Sequence, residues 1–498
     1  MPELEPGRNV WRVETAGRFS FVVDGADYFV ALRQAMLSAQ KSILLVGWDF
    51  DSRIILGDAA ADGGPERLGA FILWLAKRRP GLEIRLLRWD TGAIKAMLNP
   101  SNLAAVLRWK AHPRITLRLD AMHPFGGSHH QKIVAIDDDM AFCGGIDITV
   151  GRWDTREHPD FDPRRNAPDG REHGPWHDAT SAFDGAAARA IGDLARDRWK
   201  AATGETLAPV QGGGDCWPAA LEPTFRNVSL GLARTLPKLA DRAPVLEVEA
   251  SFLELIRGAK RFIYAESQYY ASRRIARAIA ERLVEPDGPE IVLVNPQAVE
   301  GWLEPLAMDT ARARLVGALR RIDRRGRFRI YCPQTETGRQ IFVHAKVMVV
   351  DDAWLRVGSS NFNNRSMRFD SECDVILQGR TDGERAGIAG LRNDLMAEHL
   401  GTTPAAVAEA FGRSGSLIAT VEALRREEGR SLVPYRMPEV SGLAAWLADN
   451  EILDPDGPDA VFEPLSRRGL FRGWGRVRAR LHAFRIARRA RRQARRMD

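Results

Sequence analysis

Cysteine is scarce in this 498-residue chain. The four present, Cys143, Cys216, Cys332 and Cys373, lie far apart and form no CxxC pair. That excludes a zinc knuckle and a disulfide-stapled scaffold. Long apolar runs are missing as well. No stretch approaches the roughly 18 uninterrupted apolar residues of a spanning helix, which excludes a multi-span membrane protein. The opening MPELEPGRNVWRVETAGRF has early acids and no apolar core of signal-peptide length, so an intracellular protein is expected. Lysine is rare too, at 9 of the 72 basic residues. What remains is ordinary for a globular protein, with 45% hydrophobic and 28% charged residues. At about 100–200 residues per domain, two to four domains are expected.

The net charge of +7 is unevenly placed. Residues 467–498 hold thirteen Arg and one acid, Asp498, so the body of the chain is slightly acidic. It is not a broadly basic nucleic-acid binder, and no nucleic-acid partner is expected. In the tail, Leu470, Trp474, Val477, Leu481 and Phe484 recur at spacings of four and three, one apolar stripe on an Arg-covered helix. Such a helix suits an anionic membrane surface. The alternative is a helix packed on its own domain with its Arg face solvated. The expected protein is cytoplasmic, peripherally membrane-associated and monomeric.

Two stretches look alike. Each opens with a helical segment leading into an apolar strand, AMLSAQKSILLVGWDF in one and FLELIRGAKRFIYAESQYY in the other. Each continues through a helix and a strand (LEIRLLRW, PEIVLVNP), then another strand (RITLRLD, RFRIYC). Interleaved helices and strands imply an α/β layer fold, and the repetition implies duplication. The expected organisation is a first α/β domain over 1–205, a linker over 206–242 that holds a GGG run and several Pro, a second α/β domain over 243–400, and a helical region over 401–498. The halves are expected to be related by pseudo-two-fold symmetry. A long polar, Pro-rich loop, 154–176, interrupts the first half; a loop of that length in a compact domain is often functional.

The strongest signal is a motif that occurs twice. His130-Gln131-Lys132 is followed by Asp137, and His344-Ala345-Lys346 by Asp351, so both copies read H-x-K-x4-D. Fourteen residues after each His comes Gly (Gly144, Gly358), and seventeen after comes a short polar residue (Asp147, Asn361). Lys stands in both copies although the chain prefers Arg, which argues for a compact point charge. His and Lys two apart on a strand share a face. If a pseudo-two-fold axis brings the pairs together, two imidazoles and two ammoniums form one pocket. With Ser360, Asn361 and the main chain of the Gly turns, that pocket would hold a phosphate. One neutral His would attack phosphorus while the other, protonated, donates to the leaving oxygen and later activates water or an alcohol. The two should titrate as a coupled unit. No metal or other cofactor is called for. His129 would face away from the site. His158 and His173 lie in polar loop with no ligand-like spacing to another His or Cys.

These residues resemble the phospholipase D superfamily, with its doubled HKD motif, over roughly residues 20–400. Gly144-Gly145-Ile146-Asp147 and Gly151-Arg152-Trp153-Asp154-Thr155-Arg156-Glu157-His158 are similar to the GGIDL…GRYDTPEH segment of eukaryotic-type members. Pro175-Trp176-His177-Asp178 matches their PWHD, although Ala179-Thr180 follows where the family usually has another His. Ile263 to Tyr270, with Glu266 and Gln268, is similar to IYIENQYF. Gly358-Ser359-Ser360-Asn361 through Met367, then Asp370-Ser371-Glu372, is similar to GSANINxRSM…DSE. The resemblance implies two similar phospholipase D-like α/β sandwich domains. It makes Asp137 and Asp351 structural, with Gly144, Gly145 and Gly358. It assigns carboxylates behind the two His to Glu372 and Asp178, without saying which serves which. It gives the nucleophile's role to His130 and the acid's to His344. Trp176, His177, Arg152, Glu266, Gln268 and Ser360 are the expected substrate-binding residues.

The function this implies is cleavage of the headgroup phosphodiester of a phosphatidylcholine-like lipid through a phosphohistidine, releasing phosphatidic acid or transferring the phosphatidyl group to an alcohol. The alternatives are a nuclease of the same superfamily, a cardiolipin-synthase-like transferase, and a non-enzymatic lipid-binding scaffold. The slightly acidic body, the 13 Trp and the amphipathic tail favour lipid over DNA.

Overall fold

The computed structural model describes residues 2–57, 62–90, 100–210, 214–298 and 304–438. The first half supplies strands β1 (Arg12–Val23), β2 (Ser42–Gly47), β3 (Glu83–Trp89), β4 (Ile115–Asp120), β5 (Ile133–Ile136), β6 (Met140–Gly144), β7 (Trp176–His177) and β8 (Ala179–Asp184). The second supplies β9 (Phe225–Leu236), β10 (Val245–Leu246), β11 (Phe262–Glu266), β12 (Glu290–Val294), β13 (Phe328–Gln334), β14 (Phe342–Val343), β15 (Val347–Val350), β16 (Trp354–Gly358), β17 (Glu372–Gln378) and β18 (Ser431–Pro434). Strands such as IVAI and VMVV are apolar throughout and wholly buried, as expected for a sheet covered on both faces.

Sixteen of these strands form one sheet, and its order shows the duplication. Outward from the middle run β1-β8-β6-β5-β2-β3-β4 on one side and β9-β17-β16-β15-β11-β12-β13 on the other, with β18 added beyond β13. In each half three parallel strands follow an antiparallel hairpin. The seam is the antiparallel pair β1–β9, from Arg12↔Leu232 to Phe19↔Phe225. One core crosses this seam, joining Phe19 and Phe183 to Phe225, Val375 and Leu395 beneath the helices Gly185–Thr203 and Asp382–Leu400. On the opposite face each half has its own core, under the helices Asp24–Ser38 and Leu68–Arg78 in one and Glu247–Gly258 and Arg273–Val284 in the other.

The expected linker over 206–242 needs correction. Its Pro and Gly flank a 12-residue strand, β9, which lies at the centre of the sheet between β1 and β17. The two halves are therefore fused through a continuous sheet. The region after 400 is not purely helical either. It holds the helices Pro404–Ser414 and Leu417–Leu424 and then the edge strand β18, paired to β13. The Arg-rich tail, 467–498, lies outside the described residues. Among those described, no helix is long and apolar enough to cross a membrane.

The motif aspartates explain how the hairpins are built. Asp137-Asp138 and Asp351-Asp352 all have positive φ, between 52° and 57°, and close the tight turns β5–β6 and β15–β16. Both central residues of such a turn need φ > 0, which Asp tolerates better than most residues. The Asp137 carboxylate accepts the N–H groups of Gln40, Lys41 and Ser42 at 2.6–2.8 Å. Asp351 does the same for Lys260, Arg261 and Phe262 at 2.7–2.9 Å. Each thus ties its hairpin to the start of β2 or β11. The second aspartate of each pair grips a helix, through Asp138–Arg196 and Asp352–Arg392. Removing the Asp351 carboxylate strands three donors, so Asp351→Ala should cost about 1–3 kcal/mol. Urea unfolding measures it, and an unchanged midpoint would remove this role.

Candidate functional site

The site lies on the sheet edge where the parallel strands β2–β4 and β11–β13 end. The motif strands start there, because β5 runs antiparallel to β2 with Ile133 opposite Val46, and β15 to β11 with Val347 opposite Glu266. The residues just before them reach across the seam. His130 donates its N–H to the Ser371 carbonyl at 3.0 Å, and His344 donates its own to the His177 carbonyl at 2.7 Å. Each motif segment is thus hydrogen-bonded to the residue that precedes an acid of the opposite half.

That crossing decides which carboxylate serves which ring. His130 Nδ1 lies 3.0 Å from both Glu372 oxygens, and His344 Nδ1 lies 2.6 Å from Asp178 Oδ2. A carboxylate only accepts, so the ring proton sits on Nδ1 and the lone pair on Nε2. Both acids are fully buried, while the side chain of His130 keeps 17% of its surface exposed against 6% for His344. The His130 ring is the more approachable.

Both motif lysines fold back on the chain, with Lys132 Nζ donating to the His130 carbonyl at 3.0 Å and Lys346 Nζ to the His344 carbonyl. Lys132 also pairs with Asp147 at 3.2 Å, and Asp147 Oδ1 accepts the Trp48 N–H after β2. Burial, followed by Lys132 and Lys346, holds His130 well below the ordinary imidazole range. Burial, Lys346, Arg152 and Lys132 do the same to His344, with His130 contributing. These mutual influences mark one shared pocket. Burial lowers Lys346 to about 7 although Asp178 opposes it, and burial raises both Glu372 and Asp178. Empty, the pocket has neutral imidazoles beside a crowded positive charge. A bound anion would reverse this and favour an imidazolium.

Close packing fixes the acids. The Ser359 hydroxyl donates to Glu372, and Asp374 accepts the N–H groups of Ser359 and Ser360 and the Ser360 hydroxyl. Asn361 is buried, with its N–H on Ser366 Oγ and its Oδ1 unpaired. Gly145 leaves room for the support of His344, since a Cβ there would lie 2.2 Å from Asp178 Oδ1. Gly144 and Gly358 likewise allow Thr180 and Asp374 to approach. Trp176 stacks on Phe342, its ring is 5.1 Å from that of His344, and the Arg152 guanidinium lies 4.2 Å over it. Trp176 and Arg152 therefore join the His344 side of the pocket, and the parallel pair β7–β14 holds them there.

Two expected substrate-binding residues are placed elsewhere. His177 and Glu266 are fully buried and hydrogen-bond one another at 2.7 Å, behind the pocket and out of a substrate's reach. His177 Nδ1 meets Glu398 at 2.7 Å, and Glu266 also accepts from His399 and Tyr264. The half-buried Gln268 donates to the Tyr269 hydroxyl. Glu398 bonds His158, which in turn bonds Asp154. Asp24 links this network to the site, because its Oδ1 accepts the Asp178 N–H at 3.0 Å. Asp24, His158, His177 and Glu398 each offer a ligand atom within 4.8 Å of the others, as do His177, Glu266 and His399, so these are the described residues able to hold a cation. Sequence spacing missed this cluster: Glu398 and His158 stand 240 residues apart. The available signals were the quoted segments that hold Asp154 and His158, His177, and Glu266.

Comparison with known proteins agrees with this geometry. A family model described as Phospholipase D matches residues 35–213, and one described as Cardiolipin synthase, PLD-like domain, matches residues 252–386. Phospholipase D A of Dictyostelium discoideum is 24% identical over 465 residues, which is 77% of this chain and 35% of the relative. Phospholipase D alpha 1 of Nicotiana tabacum is 24% identical over 518 residues, 74% of this chain and 63% of the relative. The chain thus spans only part of either. Among solved structures, the phosphatidylserine synthase of Haemophilus influenzae Rd KW20 shares the fold with a TM-score of 0.56 at 12% identity, over 84% of this chain and 98% of that one.

The buried network should respond to alkali. Burial alone would lower His177, but Glu266, Glu398 and Asp24 override it and hold it well above the ordinary value. His158 is likewise raised, to about 9, by Asp24, Asp154 and Glu398 against its burial. A raised histidine contributes stability in full below its unfolded pKa of about 6.5 and loses it as pH rises through the folded value. Removing one partner of a buried pair costs about 3–5 kcal/mol. His177→Gln should lose about that much at pH 7, and the gap to wild type should narrow as pH rises into the alkaline range, because the folded His177 titrates well above its ordinary value. Thermal melts between pH 6 and 10 test this; a gap constant with pH would refute it.

Proposed function

The chain belongs to the phospholipase D superfamily, whose models match both of its halves, and on that premise we propose that it is a phospholipase D acting on glycerophospholipids. Its substrate would be a phosphatidylcholine-like lipid. The observation that carries this reading is the crosswise pairing of His130 with Glu372 and His344 with Asp178 around two lysines.

The His130 Nε2 lone pair attacks phosphorus, and the bond from phosphorus to the headgroup oxygen breaks. His344, protonated on both nitrogens once the phosphodiester anion is bound, gives its Nε2 proton to the leaving alcohol. Lys132 and Lys346 carry the charge that gathers on the non-bridging oxygens. His344 Nε2 then takes a proton from water, the oxygen attacks phosphorus, and the P–N bond breaks to release phosphatidic acid and restore His130. An alcohol in place of water yields a transferred phosphatidyl group. The second half's match to a cardiolipin synthase-type domain favours a companion reading, in which such transfer is the main reaction. Both readings make the protein peripheral to a membrane, and the Arg-rich tail supports contact with anionic lipid.

Incubation with phosphatidylcholine and ethanol should release choline and form phosphatidic acid and phosphatidylethanol. Failure on every glycerophospholipid alongside cleavage of DNA would replace this reading with a nuclease. His344→Ala should lower turnover of phosphatidylcholine by about 10²–10⁴-fold. With bis-p-nitrophenyl phosphate, whose leaving group needs no acid, the same variant should give a burst of one p-nitrophenol per enzyme and stall as phosphorylated His130. A burst from His130→Ala instead would exchange the two roles.

A further inference from the structure

We propose that Asp24, His158, His177 and Glu398 form a structural zinc site, buried behind Asp178 and joining the two halves of the molecule. It belongs to the scaffold and is independent of the reaction read above.

All four side chains are buried, and one ligand atom from each lies within 4.8 Å of the other three. His158 Nε2 is 3.0 Å from Glu398 Oε1 and 3.5 Å from Asp24 Oδ2. His177 Nδ1 is 2.7 Å from the same Glu398 oxygen and 3.3 Å from Asp24 Oδ1. Four separate places in the chain converge here: the start of the helix Asp24–Ser38, the long loop with His158, strand β7, and the last turn of the helix Asp382–Leu400. Zinc takes four such ligands in a tetrahedron at about 2.0–2.2 Å, which sets the ligand atoms about 3.3–3.6 Å apart. The Asp24 separations already have that size. Those to Glu398 are hydrogen-bond distances and would widen by roughly half an ångström.

Two further observations point to a cation. Asp24 Oδ2 accepts no hydrogen bond, although Asp24 is only 1% exposed. A buried carboxylate oxygen left in that state is costly. In addition, the outer nitrogen of each ring is already held by another carboxylate, His158 Nδ1 by Asp154 at 3.0 Å and His177 Nε2 by Glu266 at 2.7 Å. Metal-ligating histidines are supported in this way, because the outer bond fixes the ring and turns a lone pair inward. Arginines complete the outer layer. Arg165 holds Asp154, and Arg156 takes Glu398 Oε2 at 2.6 Å, which leaves Oε1 facing the centre.

The donor set selects among cations. Calcium and magnesium prefer oxygen alone, whereas two imidazoles with two carboxylates suit zinc. The Asp24 and Glu398 carboxylates balance its charge. In the metal-free protein two imidazolium protons meet the same need; zinc replaces them, and both protons leave to solvent. A cavity of about 480 Å³ is lined by His158 and Glu398 together with the exposed Glu157 and Glu336, so a cation can reach two of the four ligands from the surface. The ion would steady Asp178, since Asp24 grips that residue's main chain twice, through its own N–H at 2.8 Å and through Oδ1 at 3.0 Å.

Full-length, untagged protein purified without chelator should carry about one zinc per chain by elemental mass spectrometry. Stripped with EDTA and supplied with cobalt(II), it should show the strong visible bands of four-coordinate cobalt, and added zinc should raise its melting temperature. Asp24→Asn keeps an acceptor for the Asp178 N–H and should lose the metal. Glu266→Gln, behind His177, should weaken zinc by about 10–100-fold. A folded wild type that takes up neither zinc nor cobalt, or that retains calcium in their place, overturns the proposal. So does a folded Asp24→Asn that keeps its zinc. Should either variant fail to fold, the cobalt spectrum of the wild type still decides, because weak six-coordinate bands would put the ion outside this site and reject it.

Discussion

Two hydrogen bonds across the seam of the sheet, His130 to Glu372 and His344 to Asp178, set the terms for everything else in this molecule. Each joins an imidazole of one half to a carboxylate of the other. Neither half supplies the acid that holds its own ring in the tautomer that frees Nε2, so the proposed chemistry needs the assembled pair. The fold meets that demand through the antiparallel β1–β9 seam and the core that crosses it. A flexible hinge between the halves would let the rings drift from their acids. The central strand β9 rules it out by pairing on both sides.

The same arrangement makes the pocket electrostatically incomplete. Two lysines and two histidines are gathered in a buried place, and of the acids beside them Glu372 is held by the Ser359 hydroxyl and Asp178 by the Ala179 N–H. Burial and the ammoniums push both rings toward neutrality and bring Lys346 to about 7. In the proposed reaction a phosphodiester would supply the missing negative charge, and with it the imidazolium that the second role needs.

Symmetry ends behind the acids. Glu372 backs onto the Ser359 hydroxyl, whereas Asp178 backs onto Asp24 and, through it, a buried cluster of His158, His177 and Glu398. Two chemically alike histidines consequently stand in different surroundings, a common way for one residue type to be given two roles. The cluster also accounts for His177 and Glu266. Both resemble substrate-binding residues by motif, yet they hold the scaffold behind Asp178.

Local signals were enough for part of this. The repeated H-x-K-x4-D copies, the apolar strands and the doubled order of helices and strands identified the duplicated α/β halves, because strand burial and motif spacing are written in adjacent residues. The structural role of the turn aspartates came only through the family resemblance. Long-range pairing was not. A Pro- and Gly-rich stretch read as a linker because its composition is local, while β9's place between β1 and β17 depends on partners on either side of it in the chain. Which acid serves which histidine depends on a crossing of 242 residues in one case and 166 in the other. The sequence alone named the groups to which the proposed chemistry is assigned. Only the tertiary structure decided how they are shared out, since hydrogen bonds across a pseudo-two-fold axis follow from how two sheets fuse, and no pattern within either half records that.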